Sequence, residues 1–212
     1  EEVYNSFTHA GALLPKEKMV RVQEINNRLA KLQQDFGNML PKAANEATVW
    51  VNDVKELAGL GETTIAQCKK DAEGRGGKAP YCIVITNTTQ QPILASLENR
   101  ALRERVYNAS VHRTDGTGAY NAFPIAVEIA RLRAEKAELM GFKDYASYSL
   151  ESTMAKNTNN VYAFLRQLIA AYKPKVEAET KAIEDYARQA EGADFQLQPY
   201  DRFFFFFFMK KA

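Results

Sequence analysis

Between residues 15 and 40 the apolar side chains Met19, Val22, Ile25, Leu29, Leu32 and Phe36 recur every three or four positions, with Lys, Arg, Gln and Asn between them. That spacing lines one stripe of an α-helix and leaves its other faces polar. Pro15 suits the opening turn, where a missing N–H costs nothing. Pro41 is expected to end the helix. The run is short for a coiled coil and reads as one long antiparallel helix within a larger helical body.

Two stretches break the helical period. ATVWV (47–51) and YCIVIT (81–86) are rich in β-branched and aromatic residues and are bounded by turn formers, which predicts strands. GETTIAQCKKDAEG between them reads as a short helix, followed by the loop RGGKAP. This strand–helix–strand insertion, at about 47–86, is a small appendage and not the organising sheet of an α/β domain. The helical period returns over 98–113. It returns again over 122–140, with Pro124 in the first turn and Gly141 as a stop. KDYASYSLESTM reads as a further short helix. The last long helix is expected over 158–190, burying Val161, Phe164, Leu165, Leu168, Ile169, Tyr172, Val176, Ile183 and Tyr186. Pro174 should kink or break it, because an interior proline costs ~3 kcal/mol. The fold class is therefore mainly α: long antiparallel helices with one small strand–helix–strand insertion, in a single helical segment without repeats or linkers.

Composition narrows the function. Of 212 residues, 46% are hydrophobic and 25% charged, a mixture able to bury a core. The 28 basic and 26 acidic residues are interspersed, and a net charge of +2 argues against a nucleic-acid-binding face. No apolar run approaches the ~20 residues of a spanning helix. EEVYNSF has neither the basic start nor the apolar stretch of a signal peptide. The compartment stays open between cytoplasm and periplasm. Cys68 and Cys82 are expected to be buried free thiols.

Motifs for chemistry are mostly missing. EGRGGKA departs from the phosphate loop G-x-x-x-x-G-K-[ST] at both ends, with Ala72 and Ala79 in the defining positions, and reads as a surface turn. The histidines are His9 and His112; Asn5 and Asn108 stand four residues before them, so H-E-x-x-H is absent. No G-x-S-x-G elbow occurs, and neither cysteine has a histidine near it in sequence. No catalytic or metal-binding residue is assigned. Arg100, Arg103 and Arg105, beside Glu98 and Glu104, read as a solvated charged face. NTTQQP (87–92) leaves two readings open: a turn whose Thr or Asn caps the following helix, or a loop facing a cleft.

Longer strings carry a resemblance. ITNTTQQPILASLENRALRERVYNAS, IARLRAEKAELMGFKDYASYSLESTMAK and FQLQPYD, in that order, resemble the thimet oligopeptidase family of zinc metallopeptidases, in particular its bacterial peptidyl-dipeptidase branch. FTHAGALLPKEKMVRVQEINNRLAKLQQDFGNML is similar to the family's N-terminal helical half, so the resemblance runs to Asp201. It implies an almost wholly helical protein of two halves around a deep channel. Zinc would be held by H-E-x-x-H and a later glutamate of the C-terminal catalytic half, which is absent here. The chain would then be part of a zinc-dependent peptidyl-dipeptidase that removes C-terminal dipeptides from short peptides. It would form a wall of the substrate channel and be inactive alone. Its partners would be short peptides and the missing catalytic half, with no nucleic acid and no membrane. Thr88, Gln90 and Gln91 would lie on the channel wall. The alternative is a stand-alone helical interaction module without catalysis.

One feature departs from the family. Where it carries a mixed, charged helix, residues 203–208 are six phenylalanines, followed by MKKA. Successive helical steps would put those rings on every face. Six exposed rings would forfeit on the order of 10 kcal/mol of burial. The run reads as an altered stretch in a chain that originally continued; a membrane-touching tip with Lys210 and Lys211 is the weaker alternative.

Overall fold

The structure, a computed structural model, describes residues 2–86 and 88–211. Asn87, which opens NTTQQP, lies outside the described residues. In chain order the elements are α1 (Glu2–His9), α2 (Lys16–Glu46), β1 (Val49–Val51), α3 (Glu62–Gly74), β2 (Tyr81–Ile83) and α4 (Gln90–Ser96). They continue as α5 (Arg100–Val111), α6 (Phe123–Leu139), α7 (Tyr145–Leu150), α8 (Thr158–Glu191) and α9 (Arg202–Lys211). The protein is mainly α, as its periodicity predicts. The residues group into two units: Glu1–Asn38 with Ala122–Lys173, and Met39–Asn121 with Pro174–Ala212.

In the first unit the stripe of α2 meets α6. Ile25, Leu29 and Leu32 pack on Leu132, with Ile125, Ile129 and Leu139 at the margins. Arg21 reaches Glu135 and Arg28 reaches Glu128, both at 2.7 Å. One number rises as the other falls, so the two helices run antiparallel. Met19 and Phe36, at the ends of the predicted stripe, stay exposed. Asp144 caps α7 by accepting the Ser147 N–H at 2.7 Å. Tyr148 of that helix donates its hydroxyl to the His9 carbonyl, tying α7 back to the end of α1.

The second unit is built around the strand pair. β1 and β2 are antiparallel, with Val49 opposite Ile83 and Val51 opposite Tyr81. The pair is small, and its residues belong to a larger core. Val49, Val51 and Ile83 share one core with Leu57, Cys68, Leu94, Leu97, Leu102 and Val106 from the helices around them. Gly59, at φ +89°, passes so close to the Ser96 carbonyl that no Cβ would fit there.

Three sequence expectations need correction. α2 runs through Pro41 to Glu46, and α8 runs through Pro174 without a break. Each proline forfeits one backbone bond, but burial beyond it, at Ala43 in one helix and at Ile183 and Ala187 in the other, offsets that loss and keeps the helix formed. The face assigned to α8 is largely bare: Phe164, Leu165, Leu168, Ile169, Tyr172 and Val176 are exposed, and Ile183 is buried. The phenylalanine run is not a bare patch either. It forms α9, which packs against α4 and the end of α8. Phe205 is buried with Ile183 and Ala187, Phe204 and Phe206 sit at the margin, and Phe203 is exposed.

Candidate functional site

Hydroxyl groups shape the segment after β2. Thr89 Oγ1 donates to the Val84 carbonyl at 2.6 Å and accepts the Thr86 N–H at 3.0 Å. Thr86 Oγ1 in turn accepts the N–H of Thr89 at 3.2 Å. Thr89 thus stands at the start of α4 without capping it, because its side chain is committed backwards to the strand end. The capped-turn reading fails at this residue, and the staple leaves Thr88 exposed at the edge of a cleft.

That cleft encloses about 570 Å³. Its floor is the end of α2, from Leu40 and Pro41 to Ala43 and Ala44. One wall is Ile85, Thr86 and Thr88; the other is Ser110, Arg113 and Thr114 at the end of α5. Arg113 Nε donates to the Ser110 carbonyl at 3.1 Å, which braces the guanidinium over the helix end. Thr114 has φ +79°, a left-handed conformation that a β-branched residue rarely adopts. The cleft thus sets apolar side chains beside hydroxyls and a guanidinium. Of the three residues singled out in the sequence, Thr88 lines this cleft. Gln90 is half-buried and Gln91 exposed on the first turn of α4, and neither is among its lining residues.

Sequence reasoning missed Ser110, Arg113 and Thr114. It also missed the end of α2, because Pro41 was read as a stop. A usable signal was the turn former Gly116 so soon after the α5 pattern, which ends that helix beside the strand pair.

The neighbouring loop is held by charge. His112 Nδ1 and Asp115 Oδ2 are 2.6 Å apart, and Asp115 Oδ1 accepts the Thr117 hydroxyl at 2.7 Å and its N–H at 2.9 Å. The Thr117 hydroxyl first, then its N–H and His112, hold the Asp115 carboxyl at about 2. Glu46 accepts the Ala119 N–H at 3.0 Å, and Gly118 passes so near that carboxylate that a Cβ would sit 2.9 Å from its oxygen. These groups order a loop and leave no base poised against a nucleophile. Cys68 and Cys82 are free and buried; burial pushes the Cys68 thiol up to about 11 and that of Cys82 upward, so both stay protonated.

The donor set does not fit zinc. Among the described residues no group of three or more His, Cys, Asp and Glu gathers around one point. His9 has Glu151 at 3.2 Å and His112 has Asp115, each one nitrogen and one carboxylate where zinc takes three or four protein ligands.

The arginine cluster is not a uniformly solvated face. Arg103 is buried, Arg105 Nη2 donates to the Trp50 carbonyl at 2.6 Å, and Arg100 Nη2 donates to Asp201 Oδ2 at 2.8 Å, so all three tie elements together.

Residues 93–210 match the model of Peptidase family M3. The chain is 30% identical over 205 residues to dipeptidyl carboxypeptidase of Escherichia coli (strain K12), covering 97% of this chain and 30% of that protein. It is 34% identical over 205 residues to oligopeptidase A of the same organism, covering 95% of this chain and 30% of the relative. Oligopeptidase A of Salmonella typhimurium is 33% identical with the same coverage, 95% and 30%. The chain thus spans about 30% of the length of the relatives it matches.

Proposed function

The chain belongs to peptidase family M3, and we propose that it forms one wall of the substrate channel of a zinc-dependent peptidyl-dipeptidase that removes C-terminal dipeptides from short peptides. The observation that carries this reading is the alignment of 97% of the chain with a dipeptidyl carboxypeptidase, of which it makes up 30%. The reacting groups are assigned to the part of that enzyme outside these residues, and the chain is inactive alone. Zinc supplies Lewis acidity and an activated water in such enzymes.

The wall selects the substrate. Thr88 offers a hydroxyl to a peptide backbone beside the apolar floor of its cleft, and Gln90 and Gln91 offer amides on the adjoining turn. Such groups hold an extended chain in register without reading its sequence, and exclude folded proteins by shape. A second reading, an oligopeptidase that cuts inside peptides, is supported by 34% identity to oligopeptidase A.

The test is a chimera in which these 212 residues replace the aligned segment of Escherichia coli dipeptidyl carboxypeptidase. Mass spectrometry of a nine-residue peptide digest should find C-terminal dipeptides and successively shortened peptides. Internal cleavage would favour the oligopeptidase reading, and an inactive but folded chimera would reject both.

A further inference from the structure

A second cavity, of about 540 Å³, is lined by the end of α2 at Asn45 and Glu46, by Thr48 and Trp50 along β1, and by Arg75 and Lys78 of the turn after α3. It shares no lining residue with the cleft beside Thr88. Its walls carry charge of both signs. Arg75 Nη1 donates to Asn45 Oδ1, which steadies that guanidinium, and Lys78 Nζ stands 6.0 Å from the centre of the Trp50 ring. The Glu46 carboxylate is exposed and accepts the Ala119 N–H at 3.0 Å. A carboxylate has about four acceptor positions, so one N–H does not exhaust it. Thr48 is 8% exposed, and its hydroxyl has no hydrogen-bond partner among the described residues. Buried hydroxyls are nearly always paired, so this one marks a lining that a ligand completes.

We propose that this cavity binds a short zwitterionic peptide of two or three residues, with its carboxylate on Arg75 and Lys78, its ammonium on Glu46 and an apolar side chain beside Trp50. A simple anion would meet Glu46, and a simple cation would meet Arg75 and Lys78; a molecule bearing both charges satisfies all three. Asn45 and Thr48 add neutral hydrogen-bonding groups to the same lining, which suits the amide between a peptide's two charged ends. The half-buried Trp50 ring offers a flat apolar face to a side chain. The volume is that of a small-molecule site and too small for a folded partner. The ligand is set by these residues alone and does not rest on the channel-wall reading.

Trp50 is the single tryptophan of the chain, so its fluorescence reports on this cavity. Titration of the chain with the dipeptide Ala-Phe at neutral pH should give a saturable change. N-acetyl-Ala-Phe, which lacks the ammonium, and Ala-Phe amide, which lacks the carboxylate, should each bind at least about 10-fold more weakly. Glu46→Gln keeps an acceptor for Ala119; it should weaken Ala-Phe binding and leave N-acetyl-Ala-Phe unchanged. Arg75→Met should weaken Ala-Phe binding and leave the amide unchanged. Thr48→Val separates binding from packing: it should weaken Ala-Phe binding without lowering the unfolding midpoint, because the hydroxyl it removes bonds nothing in the fold. No saturable change overturns the inference, as does equal binding of Ala-Phe and its blocked forms. Inorganic phosphate binding as tightly as Ala-Phe would make this a plain anion site and overturn it too. Should the chain aggregate, calorimetry with Ala-Phe on the chimera, with and without Arg75→Met, reads the same difference, and equal binding by the two overturns the inference.

Discussion

Arg103 and Asp201 lie 98 positions apart in sequence and meet as a buried ion pair. Arg103 Nη2 is 2.9 Å from Asp201 Oδ1, and their side chains are 3% and 0% exposed. Asp201 Oδ2 accepts from Arg100 Nη2 at 2.8 Å and from the Gln198 N–H at 3.1 Å. Arg103 Nη1 spans the carbonyls of Leu97 and Glu98, and its guanidinium lies 4.1 Å from the Phe204 ring. One carboxylate thereby fastens the approach to α9 onto the start of α5.

Replacing Asp201 by Asn keeps its shape and removes its charge, leaving the Arg103 guanidinium buried and uncompensated. The expected loss is about 3–5 kcal/mol in urea unfolding. Arg100→Met, which removes a partly exposed partner, should cost no more than about 1 kcal/mol. Equal losses would show that burial of Arg103 is not what matters.

The phenylalanine run gives an internal control. Phe205 is 2% exposed in a cluster with Ile183 and Ala187, whereas Phe203 is exposed. Phe205→Ala should cost about 3–5 kcal/mol, and Phe203→Ala within about 0.5 kcal/mol of nothing. Comparable effects would mean that α9 does not pack in this register.

Asp115 sets a pH dependence. Its folded value, about 2, lies below the ordinary aspartate range, so the folded state binds the proton less readily than the unfolded chain. Its stabilisation is complete above about pH 4 and disappears as pH falls through about 2. Urea titrations between those limits should show Asp115→Asn losing part of the acid sensitivity of the parent protein. Parallel curves would contradict the hydrogen bonds from Thr117 and His112.

Some of this was legible in the sequence and some was not, for physical reasons. The three-and-four spacing of Ile25, Leu29 and Leu32 foretold α2, and ATVWV (47–51) and YCIVIT (81–86) foretold two strands, which form over the shorter spans Val49–Val51 and Tyr81–Ile83. Pro41 misled because a proline's penalty is local while the packing that overrides it is tertiary. Arg103 read as surface because its partner, Asp201, is distant in sequence. The apolar face of α8 reads as core in the sequence, yet Phe164, Leu165, Leu168, Ile169 and Tyr172 are exposed, because periodicity reports an amphipathic face and not what it packs on. Thr88 lines the cleft together with Ile85 and Thr86, but the opposite wall, from Ser110 to Thr114, comes together only in three dimensions.

The most direct test of a wall without its own chemistry is a peptidase assay on the purified 212-residue chain, supplied with zinc and then dialysed, with bound metal counted by mass spectrometry. No stoichiometric zinc should remain, and no dipeptide should leave a nine-residue peptide. Dipeptide release by the chain alone, with one zinc retained per molecule, would place the reacting groups among these residues and contradict the assignment.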